Sequence, residues 1–488
     1  MLPVPSQTRL YRLGGILGIS VLILAVHGYH YGIEDESIYL PAVKQHLNGA
    51  LYPFDSAFFQ AQGGLTVFPW FMALLARVTH LPVAWTFFAA YCLSTVALVL
   101  ALRRIAERFF PGERSRWAAV LLPAALLTIP VAGTCLFLMD QHLHPRNLAT
   151  ICLLFAFAAA LDRRIVSAGA LTAVAAAFHP LMALYGASLL SMILWRTVRL
   201  HFLALGVSLA VAWRLLPPPS PAWQSAVQDY YFLPNWAWYE WVGIFAPLAG
   251  LAGCAAWASS RKLPVLARAV QRISLFGWFY FAAAVAVTFV PRFAQLAPLQ
   301  PMRCLQLIYL FLFLVAAGLA AAVFPRLWKP AGVLFLALCG GMSYAQKQEF
   351  PASPHIEWPG KTPANDWLRA FDWIRRNTPV RAYFVMDPRY LERPGQDFHG
   401  FRGLAERSML ADLIEDRAVA SVRPQVAGVW RSQSEALRNW SAMDLAALRD
   451  LKRRFGVDWA LLERVVPPAA TSLVCPYENA QLRVCRLD

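Results

Sequence analysis

The chain is poor in charged residues. Asp, Glu, Lys and Arg make up 15% of its 488 residues, against about 25% in a typical soluble domain. Hydrophobic residues make up 58%, and the mean hydropathy is +0.46. This composition excludes an ordinary soluble globular protein and indicates an integral membrane protein with many spans.

Two other kinds of pattern are missing. No CxxC pair and no Cys/His spacing of a zinc site occurs, which argues against a zinc-binding module. The net charge is +16, yet no basic stripe interleaved with aromatic residues appears outside the apolar segments, so we expect no nucleic-acid partner. The Arg and Lys residues instead form short clusters between apolar segments, such as Arg103-Arg104, Arg163-Arg164 and Arg261-Lys262. Such clusters are typical of cytoplasmic loops.

The N-terminal segment lacks a convincing signal-peptide cleavage site. Arg9 and Arg12 precede an apolar stretch from about Gly14 to Val26, and no small-residue cleavage motif follows it. We therefore interpret this stretch as an uncleaved first span with a cytoplasmic N-terminus.

The segment from Leu65 to His80 decides the topology. If it crossed the membrane, the basic loop from Arg103 to Arg116 would lie outside, so we interpret it as an interfacial helix. About eleven spans result, which places the C-terminal residues opposite the N-terminus. We predict a multi-pass protein of the bacterial inner (plasma) membrane with a periplasmic or extracellular C-terminal domain. After the first span, the predicted spans are residues 82–102, 117–137, 147–161, 165–179, 181–195, 200–216, 241–258, 273–291, 304–324 and 330–346.

The composition changes after a Pro-rich connector at residues 351–363. Residues 351–488 are predicted to form a small exoplasmic α/β domain, and residues 1–350 to form the membrane domain, with an acidic first loop at about residues 29–81. Strand-like runs are AYFVM from Ala382, WALLE from Trp459, and a final pair around LVC and LRVCRL. Helical patterns are DWLRAFDWIRRN from Asp366 and DLAALRDLKRRFG from Asp444.

Polar residues that this topology gathers at the outer face are the candidates for chemistry. A carboxylate can accept the proton of an acceptor hydroxyl, and Arg or His can bind a phosphate. Arg292 and Arg303, at the outer ends of two spans, depart from the positive-inside trend. The candidates are Glu34, Asp35, Glu36 and Asp55 in the first loop; Asp140, His142, His144, Arg146 and Asn147 in DQHLHPRN; and His179, Asp229, Arg292 and Arg303.

Several of these residues have a plainer interpretation. The three acids could be a solvated surface, and His179 before Pro180 could be a helix-end histidine bonded to backbone. His142 and His144 could bind a metal together with an acid, although their spacing is not diagnostic. The aromatic residues of one loop form either a membrane-interface belt or a sugar platform; they are Trp223, Tyr230, Tyr231, Trp236, Trp238, Tyr239 and Trp241.

The order of these segments resembles the GT-C superfamily of multi-span glycosyltransferases. The resemblance rests on EDE followed by SIYLPAVKQHLNGALYPFDSAFF, then VFPWFMALLARVTHLP and LALRRIAERFF. Within that superfamily, the chain is similar to bacterial relatives of protein mannosyltransferases and aminoarabinose transferases. FDWIRRNTP, FRGLAERSMLAD, RRFGVDWALLER and YENAQLRVCRL also resemble the exoplasmic domain of many bacterial members.

The resemblance implies a polyprenyl-phosphate-linked sugar donor and a catalytic carboxylate in the first exoplasmic loop. The family's Asp-Glu pair matches Asp35-Glu36, with Glu34 as a shifted alternative. A separated DxD motif is absent, and the two outer acids of EDE could replace it. Whether the reaction uses a divalent metal, Mg²⁺ or Mn²⁺, therefore stays open.

The hypothesis is an inverting glycosyltransferase that acts on an exoplasmic glycan, lipid or protein acceptor in the cell envelope. Asp35 is the predicted base or acceptor orienter, assisted by Glu36 or Glu34, while Arg292, Arg303 and Arg146 hold the donor phosphate. The alternative is a non-enzymatic protein that keeps the fold as a lipid-binding, transport or assembly scaffold. Cys475 and Cys485 are predicted either to form a disulfide in an oxidising compartment or to stay two buried thiols.

Overall fold

The computed structural model describes residues 6–195, 198–464 and 473–487, and the protein is mostly helical, at 70%. The helices within the described residues are α1 (Ser6–His27), α2 (Glu36–Leu47), α3 (Ser56–Gly63), α4 (Phe68–Thr79), α5 (Val83–Phe109), α6 (Glu113–Ala125), α7 (Pro145–Leu161), α8 (Ile165–Phe178), α9 (Pro180–Leu194), α10 (Arg199–Leu215), α11 (Pro221–Ala226), α12 (Trp238–Ser260), α13 (Pro264–Phe289), α14 (Leu305–Val323), α15 (Trp328–Glu349), α16 (Asp366–Asn377), α17 (Phe401–Ala405), α18 (Glu415–Val422), α19 (Pro424–Ala436) and α20 (Leu445–Phe455).

The strands are short and form two sheets. A two-stranded sheet lies between α6 and α7, and a five-stranded sheet is built from residues after α16. The strands are β1 (Pro130–Val131), β2 (Leu136–Phe137), β3 (Tyr383–Val385), β4 (Ser408–Met409), β5 (Trp459–Glu463), β6 (Tyr477–Glu478) and β7 (Leu482–Arg486).

The apolar helices make this a multi-pass membrane protein. Within the described residues, five segments are long and apolar enough to cross a bilayer, and four shorter apolar helices accompany them. The predicted count of eleven spans is therefore not confirmed. The five segments are Leu10–His27, Val83–Phe109, Trp238–Ser260, Pro264–Phe289 and Pro291–Val323.

One predicted span is wrong as a single helix. The sequence predicts a span over residues 117–137, but α6 ends at Ala125, after Pro123, and the antiparallel hairpin β1–β2 follows. Gly133, with φ +32°, lies in its turn. Pro130 and Gly133 are turn signals, and the hydropathy of this stretch outweighed them. The interfacial segment is helical over Phe68–Thr79. The other predicted spans coincide with helices to within three residues, except that α1 and α13 begin eight and nine residues earlier, and α5 ends seven residues later, at Phe109.

The chain divides into two compact units. Unit 1 contains residues 1–28, 90–218 and 229–346, and unit 2 contains residues 29–89, 219–228 and 347–488. In unit 1, helix pairs α7 and α8, α6 and α14, and α12 and α13 pack together around one large hydrophobic core. Residues 29–89, which include the predicted first loop at about residues 29–81, group by their contacts with the C-terminal residues in unit 2.

The sheet of unit 2 is mixed, with strand order β4-β3-β5-β7-β6. β3 is parallel to β4 and β5, whereas β7 is antiparallel to β5 and β6. Side chains alternate between its two faces. Phe384 and Leu461 face a core that contains Phe371 of α16. Val385 and Leu462 face a second core that contains α20.

Both C-terminal helices follow their predicted bounds. α16 begins at Asp366 behind the N-cap Asn365, whose side chain accepts hydrogen bonds from two backbone N–H groups. α20 begins after the N-cap Asp444 and ends at Phe455, and the C-cap Gly456 has φ +79°. A glycine in the left-handed region is the common way to end a helix, and this sequence signal was therefore sufficient.

The predicted strand at LVC is displaced. β7 pairs with β5 on one side, and the strand on its other side is Tyr477–Glu478, which follows LVC instead of coinciding with it. Cys475 and Cys485 nevertheless form a disulfide, with Cα atoms 3.9 Å apart. Of the two predicted alternatives, a disulfide or two buried thiols, the structure contains the disulfide.

Candidate functional site

The three acids of the first loop, here called the acid segment (Glu34–Glu36), occupy three different environments. Glu34 has φ +43°, which is unfavourable for a side chain with a Cβ. Its carbonyl accepts hydrogen bonds from the backbone N–H and the hydroxyl of Ser37. Glu36 is fully buried and accepts the N–H of Gly32 at 3.0 Å. Asp35 is half-buried at the N-cap of α2, and its side chain makes no capping hydrogen bond.

The backbone around the acid segment is fixed from both sides. Gly32 has φ +74°, and a Cβ on it would lie 3.0 Å from Leu404. The Glu34 N–H donates to the carbonyl of Phe398, and the Gly32 carbonyl accepts the N–H of Gly400. Residues of unit 2 that are remote in sequence therefore fix the backbone immediately before Asp35.

A buried histidine pair lies beside this segment. One Glu357 oxygen is within 3.0 Å of His30 Nδ1 and 2.8 Å of His399 Nε2, and the other accepts the N–H of Tyr31. Burial alone would raise the pKa of Glu357, but His399 and His30 lower it to about 2. Glu357 also raises the pKa of His399 above its usual value, against the effect of burial. Sequence reasoning missed these three residues because they are far apart along the chain.

Asp55, the fourth acid of the first loop, is structural. It lies 2.5 Å from the guanidinium of Arg402, which also binds Asp416 at 2.8 and 2.9 Å. Asp412 is fully buried, and burial, followed by the charge of Asp416, raises its pKa to about 7. Burial also raises the pKa of Glu415. These residues hold α3, α17 and α18 of unit 2 together.

A large cavity, here called the basic cavity, opens within unit 2. Its volume is about 600 Å³, and Tyr31 forms part of its wall. Burial, then the carboxylates of Glu36 and Glu406, raise the pKa of the Tyr31 phenol well above its usual value. Tyr31 thus links the acid segment to the cavity. The ionisable residues that line it besides Tyr31 are Lys44, Lys361, Asp372, Arg375, Arg376 and Glu406.

The loop from Asp140 to Asn147, here called the histidine loop, lies in unit 1. Arg146 and Asp140 are both buried, and one guanidinium nitrogen lies 2.8 Å from each carboxylate oxygen. The charge of Arg146 is thereby balanced within the protein. Asn147 donates to the carbonyl of His142, which closes the loop.

Three histidines of unit 1, His142, His144 and His179, lie near one another. The ring centroid of His144 is 6.1 Å from that of His142 and 6.1 Å from that of His179. His144 accepts the N–H of Arg146, and His179 accepts the N–H of Met182. Both therefore cap helices, as expected for a helix-end histidine. Among the residues described, no three His, Cys, Asp or Glu side chains converge as metal ligands.

The two outer arginines of unit 1 differ. Arg292 is exposed and donates to the carbonyl of Trp213 at 3.2 and 3.3 Å. Arg303 has a buried Nε with no hydrogen-bond partner among the described residues. It lines a small cavity of about 10 Å³ together with Tyr230, Tyr231 and Trp236. Part of the aromatic loop thus lies beside a free arginine donor.

Gln141 is a buried polar residue that sequence reasoning did not single out. Both polar atoms of its side chain are without a hydrogen-bond partner among the described residues, and the residue is fully buried. Leaving such a group unpaired is costly. Its position between Asp140 and His142, two candidate site residues, was the sequence signal that could have identified it.

No protein-family model and no curated protein matches the sequence. A match among solved structures is the oligosaccharyltransferase AglB of Archaeoglobus fulgidus in complex with an inhibitory peptide and a dolichol-phosphate. The alignment covers 93% of this chain and 70% of AglB at 11% identity, with a TM-score of 0.50. The chain shares its fold with AglB. At 11% identity this match bears on the fold alone, and it supports the predicted helical membrane fold with a small sheet domain.

A second structure of the A. fulgidus oligosaccharyltransferase, in complex with Zn and sulfate, aligns at 11% identity over 92% of this chain and 68% of that one, with a TM-score of 0.49. The resemblance to the mannosyltransferase and aminoarabinose transferase branch is not confirmed by these matches.

Proposed function

We propose that the protein is an inverting membrane glycosyltransferase that transfers a sugar from a polyprenyl-phosphate donor to an exoplasmic glycan, lipid or protein acceptor. The observation that carries the proposal is the acid segment, in a fold shared with AglB over 93% of the chain. The AglB complex contains a dolichol-phosphate and a peptide, which supports a lipid-linked donor and a separate acceptor here.

Asp35 is the proposed base. It is half-buried and makes no capping hydrogen bond with its side chain, whereas Glu36 is buried against the Gly32 N–H. A general base must reach the hydroxyl that it deprotonates, and the exposure of Asp35 favours it over Glu36. Glu36 then positions the start of α2, and the strained backbone of Glu34 orients Asp35.

Arg303 is the proposed ligand of the donor phosphate. Its buried Nε has no hydrogen-bond partner among the described residues, so it can bind an oxyanion without first breaking an ion pair. Arg292 adds an exposed charge held by only one carbonyl. Arg146 is the weaker choice because Asp140 already balances it. His142, His144 and His179 remain proposed neighbours of the donor.

We also propose that the protein lies in a bacterial inner membrane with unit 2 on its outer side. The Cys475–Cys485 disulfide supports an oxidising compartment for that unit. A reporter fused after residue 488 should be active only outside the cytoplasm, and one fused within residues 107–116 only inside it. The reverse result at residue 110 would contradict this orientation.

The direct test is the lipid-linked sugar pool. In cells that lack the gene, we expect a polyprenyl-phosphate sugar to accumulate, and mass spectrometry of the lipid extract would identify it. Wild-type protein should restore the pool, whereas Asp35→Asn at equal abundance should not. An unchanged pool in the deletion strain, with full rescue of any other phenotype by Asp35→Asn, would favour the scaffold function instead.

A further inference from the structure

The basic cavity carries more positive than negative charge. Four cationic side chains line it against two carboxylates, so its wall keeps two positive charges in excess. Lys44 lies 2.7 Å from Glu406. The ammonium of Lys361 forms no ion pair within the part of the chain that the structure describes. The cavity is therefore suited to an anion.

Two arginines on one helix form the sharpest feature of this wall. Asp372 of α16 binds Arg375 at 2.6 Å and Arg376 at 2.9 Å, one turn further along the helix. One carboxylate thus holds two guanidinium groups side by side and leaves one charge uncompensated. Their side chains are 40% and 68% exposed, so both can reach a ligand. Paired guanidinium groups suit the oxygens of a phosphate.

The remaining wall is apolar and lies where a membrane span begins. Leu47, Leu51, Pro82 and Val83 line the same cavity, and Val83 is the first residue of a candidate span. The nearby side chain of Trp85 is 39% exposed, as is common for aromatic residues at the level of lipid headgroups. A ligand that fits both walls carries a phosphate and an apolar chain.

We propose that the basic cavity binds the phosphate of an anionic lipid, with Arg375, Arg376 and Lys361 as its ligands. The lipid's apolar part lies against Leu47, Leu51 and Val83. Arg303 does not line this cavity, and lipid binding there does not depend on sugar transfer. It gives unit 2 a lipid-binding surface in addition to the proposed catalytic segment.

The test uses the full chain in detergent and dihexanoyl phosphatidic acid as the probe, with binding measured by thermophoresis. The Arg375→Gln/Arg376→Gln variant should bind at least about tenfold more weakly, because charge-assisted contacts are lost. Asp372→Asn should bind more tightly, because it removes the competing carboxylate. This gain would be a readout that misfolding cannot produce.

The chain contains a matched control. Asp450 of α20 binds Arg453 at 3.0 Å and approaches Arg454 at 3.7 Å with the same spacing along the helix. Arg453→Gln/Arg454→Gln and Asp450→Asn should leave binding unchanged. An equal loss in this control pair would overturn the proposal, as would no effect of Arg375→Gln/Arg376→Gln. Equal affinity for dihexanoyl phosphatidylcholine would exclude recognition of the anion, and equal affinity for inorganic phosphate would assign the cavity to a free phosphate instead of a lipid.

Discussion

The charged side chains of the histidine loop in unit 1 are more deeply buried than Asp35 of the acid segment and the charged side chains of the basic cavity in unit 2. In unit 1, Asp140 and Arg146 are both buried and neutralise each other within one loop, and the cavity beside Arg303 has a volume of about 10 Å³. In unit 2, Asp35 is half-buried, and a cavity of about 600 Å³ is lined by six charged side chains. The ion pair of the histidine loop is thus enclosed, whereas the acid segment and the basic cavity leave charged side chains accessible.

This difference separates residues that can do chemistry from residues that hold the structure. A buried and fully paired ion pair is costly to disturb and gives a substrate nothing to bind. An accessible carboxylate beside a strained backbone can accept a proton from an acceptor. We therefore expect substitutions in unit 2 to change catalysis at Asp35, and substitutions in unit 1 to change donor affinity or stability.

The largest expected effect is that of Asp35→Asn. The carboxamide keeps the shape but cannot act as a base, so kcat should fall by about 10²–10⁴-fold. Arg303→Ala should instead raise the KM for the donor, with partial recovery in Arg303→Lys because an ammonium cannot form a bidentate contact. A reconstituted transfer assay with purified donor measures both.

Glu36→Gln serves as the control within the acid segment. It should lower activity less than Asp35→Asn, since its amide oxygen can still accept the Gly32 N–H. Near-wild-type turnover in Asp35→Asn, with loss in Glu36→Gln, would transfer the role of base to Glu36.

The second effect concerns stability. Arg402→Met leaves Asp55 and Asp416 buried without their shared cation, which should cost about 3–5 kcal/mol. Arg146→Met leaves one buried carboxylate, that of Asp140, without its cation instead of two, so its cost should be smaller. Thermal unfolding in detergent compares the two variants. A larger drop in melting temperature for Arg146→Met would mean that the Asp140–Arg146 pair contributes more to stability than the Arg402 cluster.

The third effect is that of the disulfide. Cys475→Ser/Cys485→Ser should destabilise unit 2 by about 2–3 kcal/mol, since the bridge closes a short loop. A reductant should lower the melting temperature of the wild type and leave that of the variant unchanged. Free, alkylatable thiols at both positions in protein from native membranes would contradict the bridge.

The smallest effect depends on pH. The folded-state pKa of Asp412 is raised to about 7, so folding favours its protonated form. Its contribution to stability is fully present below the unfolded-state pKa and is lost as the pH rises through about 7. Asp412→Asn should therefore raise the melting temperature at pH 8, where the buried carboxylate is charged, and change it little at pH 4. A gain of equal size at both pH values would exclude this titration as its cause.

Much of the helical fold could be predicted because its signals are local. Hydropathy located α5, α7 and α12, and helical patterns of apolar and charged residues located α16 and α20. The hairpin after α6 was missed because its apolar residues continue the hydropathy of the helix through Pro130 and Gly133. β6 was displaced because a two-residue strand is defined by its partner and not by its own sequence.

The site was only partly predictable for the same reason. The acid segment is contiguous, so its residues could be named from the sequence, whereas its distinct environments depend on Phe398 and Gly400. The basic cavity joins Lys44 to Arg375, and Glu357 joins His30 to His399. Such pairings over hundreds of residues leave no periodicity or spacing in a single sequence.

The bond between Asp55 and Arg402 also sets the order in which unit 2 can be made. The two residues are 347 positions apart, and at about 5–20 residues per second the ribosome needs roughly 20–70 s to cover that distance. During this interval residues 29–89 have no C-terminal partner, although Phe58 and Phe59 are buried in the finished protein. We expect chains truncated before residue 400 to leave this segment sensitive to protease, and equal resistance of truncated and complete chains would contradict that. The acid segment would then be synthesised early, but it would reach its folded environment only after the last strands of the sheet have been made.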